Sequence, residues 1–201
     1  MFHWINFYVK ISKFLTFLGK FGGIFTLIVY WSFTLVSMLH NPSFSIFHGA
    51  LSDLGSPKAH EPWLYNYGLV LSSPLLFLFS LYLIFIAKNK VQTVGGAFIS
   101  ISSIFLAFIG IFHSGTDPHG FVSTYFFLQF FFGMLVFSIG SERGILCMGV
   151  TLFIIALVGA FFPWPSTAIL EIYEIVIISI FVISLPLFNP KISKNNPQSI
   201  Q

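Results

Sequence analysis

Charge is scarce in this sequence. Asp, Glu, Lys and Arg make up 7% of the chain, where a soluble domain is about a quarter charged. So little polar side-chain surface cannot cover a water-soluble fold. Cysteine is scarcer still: Cys147 stands alone, which excludes an intrachain disulfide, and its place near a helix start reads as a small packing residue. There is no sizeable basic patch, so a nucleic-acid partner is not expected. Neither a Gly-rich phosphate loop nor a G-x-S-x-G elbow occurs. Asn41-Pro42-Ser43 carries the proline that blocks N-glycosylation. The chain shows no internal repeat and no series of ionisable residues running through its apolar stretches, both of which argue against a proton-coupled transporter.

What remains is oil. The sequence is 56% hydrophobic and 19% aromatic, with a mean hydropathy of +0.92. Six apolar segments, 21–39, 64–86, 94–112, 121–139, 145–162 and 169–187, each approach the ~20 residues that span a hydrocarbon core. Runs of this length must be helical in lipid, because unpaired backbone groups are too costly there. The expected fold is therefore all-α, a polytopic membrane protein with six transmembrane helices. Pro74 should kink the second, with Ser72 and Ser73 placed to take up freed carbonyls. Gly95, Gly96, Gly110 and Gly133 should permit close helix contacts.

Three regions are expected: residues 1–20, a six-helix membrane domain at 21–188, and a polar tail at 189–201. In the first, His3, Asn6, Lys10, Lys13, Thr16 and Lys20 recur every three or four residues. That spacing suits an amphipathic helix lying on an anionic leaflet, or else a solvated extension of the first spanning helix. No small-residue cleavage site follows, so a cleaved signal peptide is not expected.

Orientation follows from the basic residues. Lys10, Lys13, Lys20, Lys88, Lys90, Arg143, Lys191 and Lys194 fall on one side of the six-span scheme and only Lys58 on the other. The positive-inside rule then places both termini in the cytoplasm of a cell-membrane protein. Asp53, Glu61, Asp117, Glu171 and Glu174 collect on or near the outer side, with His40, His48, His60, His113 and His119. Two polar segments hold most of them: HGALSDLGSPKAHEPW, from His48 to Trp63, and HSGTDPH, from His113 to His119.

These residues read more than one way. Asp53 either caps a short turn or is a carboxylate held against His113 or His119 as an acid–base pair. The H-x3-D-x-H spacing of His113, Asp117 and His119 could bind zinc, with Asp53 or Glu171 completing the shell, although the same residues make ordinary loop hydrogen bonds. Glu171 and Glu174 are placed in the first turn of the sixth helix, where the helix dipole favours acids; an inward Glu171 would join the cluster.

Leu51-Ser52-Asp53-Leu54-Gly55-Ser56, then Glu61-Pro62-Trp63-Leu64-Tyr65-Asn66-Tyr67-Gly68, with His113, Pro118-His119 and Ser123, resembles a prokaryotic family of six-helix membrane proteins, the domain of unknown function 998. The resemblance covers about residues 22–187 and carries no established activity. More distantly, the S-D-x-G…P-E element is similar to the Frag/damage-regulated autophagy modulator group, which implies lipid as a substrate class. Two functions are expected from different classes. One is lipid binding, or a non-catalytic subunit of a membrane assembly, with Ser52, Glu61, Asn66, Ser123 and Glu171 as binding residues. The other is an outer-leaflet hydrolase or transferase using Asp53 with His113 or His119, with or without a metal. They differ in one geometric requirement: the enzyme needs Asp53, His113 and His119 to converge.

Overall fold

The computed structural model describes residues 2–188, with side chains described from 14 to 187. Six helices follow in order: α1 Phe2–His40, α2 Trp63–Ile86, α3 Lys90–Ile111, α4 His119–Ile139, α5 Arg143–Ala160 and α6 Thr167–Phe188. All six contain stretches long and apolar enough to cross a membrane, and no strand occurs among the described residues. The chain is a multi-pass membrane protein. The stretch 2–20 continues the first spanning helix without a break. The side chains that make its amphipathic pattern, up to Lys13, and the polar tail from 189 lie outside the described residues.

Neighbouring helices in sequence pack side by side from α1 to α6, and α6 returns to α1. Close approach rests on small residues. A methyl at Gly133 would meet Ile99 Cγ1 at 2.6 Å, and one at Gly95 would run into the Phe137 backbone, so α3 and α4 touch through two glycines. Serines add polar seams. Ser73 Oγ donates to the Ser103 carbonyl at 2.6 Å, Ser80 and Ser100 hydroxyls meet at 2.8 Å, and Ser102 Oγ donates to the Phe126 carbonyl at 2.9 Å. Ser72 Oγ donates within α2 to the Gly68 carbonyl at 2.7 Å. The serines beside Pro74 therefore join α2 to α3 or bond one turn back. They do not take the Val70 carbonyl that the proline frees.

Two further expectations change. Cys147 is exposed on α5 rather than packed. Glu171 and Glu174 both lie beyond the first turn of α6, because the helix starts at Thr167. The Ser166 hydroxyl caps that start by accepting from the Ile169 N–H at 3.2 Å.

The two ends of the bundle differ. One end carries the turns 87–89 and 140–142; it is the short-turn face. The other carries connections 41–62, 112–118 and 161–166; it is the loop face. Residues 41–62 fold over the bundle mouth, and their single 3-10 turn, Leu51–Gly55, drives Leu51 and Leu54 into the core at 0% and 1% exposure.

Candidate functional site

The 3-10 turn is built by its own sequence. Gly49 takes φ +84, a left-handed conformation open to glycine, and a methyl there would meet Asp53 Oδ2 at 2.5 Å. Asp53 Oδ2 accepts the Ala50 N–H at 2.8 Å, and Ala50's carbonyl accepts the Asp53 N–H at 3.1 Å. A methyl on Gly55 would collide with the Asn66 side chain, whose Nδ2 donates to the Gly55 carbonyl at 2.9 Å. The S-D-L-G element and the asparagine one turn into α2 are thus one structural device: Asp53 closes the turn and Asn66 seats it on the helix.

The turn is then locked to distant elements. Ser114 Oγ donates to Asp53 Oδ1 at 3.1 Å, so the two polar segments meet. The Ala168 N–H reaches the Gly49 carbonyl at 2.9 Å, and Ser166 Oγ the Ile46 carbonyl at 2.6 Å. Leu51's N–H donates to Glu171 Oε2 at 2.6 Å, a bond across 120 residues of sequence.

Neither expected imidazole joins Asp53. His113 Nδ1 is 3.0 Å from the Ser114 carbonyl, and His119 Nδ1 is 2.8 Å from the Phe112 carbonyl. Asp117 is exposed. Gly115, at φ +94, turns the 112–118 connection, and among the described residues the ligand atoms of His113, Asp117 and His119 do not gather into a metal-binding group. Among the described residues, the group whose ligand atoms do converge is His40, His60 and Glu61.

Behind the plug lie two neighbouring spaces. The first, about 60 Å³, sits within the bundle, with Tyr30, Ser52, Tyr65, Ser123 and Glu171 at its polar end and apolar side chains such as Leu106, Ile178 and Val182 beyond. The Tyr30 and Tyr65 rings meet edge to face, 6.4 Å between centroids. The second is a cleft of about 350 Å³ between α4, α5 and α6, where α4 and α6 touch only sparsely. Leu128, Phe132 and Leu157 line it and are exposed, so it opens sideways from the spanning region. Glu171 and Glu174 both line it, and Ser123, Phe127 and Glu171 border both spaces.

Of the residues expected to bind, Ser52, Ser123 and Glu171 therefore line the same largely apolar space. Asn66 holds the turn, and Glu61 belongs to the separate histidine corner. Sequence reasoning missed Tyr30 and Tyr65. A phenol inside an apolar run is a weak sign by itself, but both fall on the inward side of their helices and are buried, at 7% and 5% exposure.

A bundle of six apolar helices with one long plugged connection defines a class of multi-pass membrane protein. Residues 24–187 match the model of a family described as "Protein of unknown function (DUF998)", and the chain belongs to that family. No curated protein and no solved structure matches it.

Proposed function

We propose that this chain binds a membrane lipid in the cleft between α4, α5 and α6. The observation that carries the reading is the cleft itself: about 350 Å³, apolar along its length, open at the level of the spanning helices, with Glu171 and Glu174 at one end. An acyl chain fits the apolar part. The carboxyl oxygens of Glu171 and Glu174 accept hydrogen bonds from hydroxyl or ammonium groups. The preferred head is therefore an amine or a hydroxyl, as in phosphatidylethanolamine or a diacylglycerol. The Lys and Arg distribution supports placing both termini in the cytoplasm and the cleft at the outer leaflet of the cell membrane. A role as a lipid-presenting subunit of a larger membrane assembly is compatible with this reading.

The test uses lipids carrying a photoactivatable group at the acyl terminus. In nanodiscs, cross-links should concentrate on Phe132, Leu157 and their neighbours, and Ala156→Trp, which fills the cleft, should abolish them. Cross-links spread evenly around all six helices would mean an ordinary lipid annulus and no site. Orientation is read separately. In a Cys147→Ser background, cysteines at Ser56 and Asn196 should label from opposite sides of intact cells, Ser56 from outside.

A further inference from the structure

Apart from the cleft, the C-terminal end of α1 carries a cluster with chemistry of its own. His40 is the last residue of α1, and His60 and Glu61 come just before α2. One ligand atom from each lies within 4.8 Å of the others. We propose that His40, His60 and Glu61 form a binding site for a zinc-class divalent cation on the loop face.

The donor set selects the metal. Two imidazoles and one carboxylate, with a position left for water, is the ligand set of open zinc sites. Magnesium and calcium prefer shells of oxygen, whereas nitrogen-rich sites favour the later first-row ions. The geometry needs little adjustment. His40 Nδ1 lies 2.5 Å from Glu61 Oε2, and the two imidazole rings are 6.3 Å apart between centroids. Ligand atoms about 2.0–2.1 Å from a tetrahedral ion stand roughly 3.3 Å from one another. A bound ion would therefore replace the direct His40–Glu61 contact with a slightly wider one.

The backbone around the cluster is already held. Asn41, buried at 9% exposure, grips the His60 peptide unit on both sides. Its Oδ1 accepts the His60 N–H at 2.7 Å, and its Nδ2 donates to the His60 carbonyl at 3.0 Å. The same Nδ2 donates to the Ser37 carbonyl at 2.8 Å, which fixes the asparagine to α1. Glu61 takes φ +52, a left-handed conformation that costs a residue with a β-carbon free energy. The imidazoles are exposed, so a cation has a path in and water can fill the open position. A bound ion would fasten the end of α1 to the start of α2 and so brace the connection that plugs the bundle. This proposal stands apart from lipid binding at the cleft.

The test takes the full-length chain in detergent, purified through a tag without histidines and stripped with chelator. Zinc chloride is then titrated by calorimetry, and metal content is read by mass spectrometry. One zinc per chain is expected, with no heat from magnesium. His40→Gln with His60→Gln should weaken binding by more than about tenfold, as should Glu61→Gln alone; altering groups one layer further from a metal already costs about that much. His113→Gln with His119→Gln should leave binding unchanged. Thermal unfolding of each metal-free variant should match the metal-free parent, which separates lost binding from lost folding. The proposal is overturned by zinc content no higher than the blank. It is also overturned by undiminished binding in the folded Glu61→Gln chain, or by loss in the His113/His119 variant instead.

Discussion

On the short-turn face, residues 87–89 and 140–142 close against each other. Asn89 Oδ1 accepts the Gln92 N–H at 3.0 Å and its Nδ2 donates to the Gly140 carbonyl at 2.8 Å. Gln92 Nε2 meets Ser141 Oγ at 2.9 Å, and Lys88 Nζ lies 2.7 Å from Glu142 Oε1. On the loop face, a long connection reaches three other parts of the chain and encloses spaces bordered by Glu171. Polar residues near the first end satisfy helix termini and turns. At the second end they hold apolar Leu51 and Leu54 inside a mouth that would otherwise lie open, while a carboxylate and two phenols remain at the cavity behind. A bundle that only had to span the membrane would be served by two ends of the first kind, and the contrast is what directs attention to the loop face as the functional end.

Three substitutions sharpen that contrast, from the largest effect to the smallest. Leu54→Ala should cost ~2–5 kcal/mol, since the side chain is almost fully buried. Its thermal unfolding in detergent should fall well below the parent's; a parent-like transition would mean that the turn does not plug the bundle. Glu171→Leu removes the acceptor for the Leu51 N–H. Leaving that donor unpaired should cost about 1–3 kcal/mol, and Glu171→Gln, whose amide oxygen can still accept, should recover most of it. If both variants unfold alike, the Leu51 contact does not hold the turn. On the short-turn face, Glu142→Ala should leave thermal unfolding within error of the parent, because the Lys88–Glu142 pair is mostly exposed and such pairs contribute at most ~1 kcal/mol. A large loss there would erase the distinction between the two ends.

The six helices were legible because lipid leaves an apolar run of this length little choice. The glycine contacts were legible too, since only small residues let helices approach so closely. What escaped was pairing at a distance. Asp53 was placed between a cap and an acid–base partner. The structure gives it the Ala50 N–H and the Ser114 hydroxyl, and nothing in the spacing of either segment could choose Ser114 over His113 beside it. His113, Asp117 and His119 are close in sequence, yet their ligand atoms do not converge. His40 and Glu61 are far apart along the chain and meet because the 41–62 connection returns to its starting point. Glu171 was recognised as an acid near a helix start. Its partner, a backbone N–H, carries no sequence signature at all.

The bond between Leu51 and Glu171 also has a bearing on how the chain is made. Synthesis delivers the 3-10 turn early, when α2 has scarcely emerged, but its acceptor arrives only with α6. The Gly49 carbonyl waits as long for the Ala168 N–H, and the Ile46 carbonyl for Ser166. Until the last helix is inserted, the first connection lacks these three anchors. A chain released before α6 therefore keeps Leu51 and Leu54 on a connection that its latest-made residues have not yet fastened.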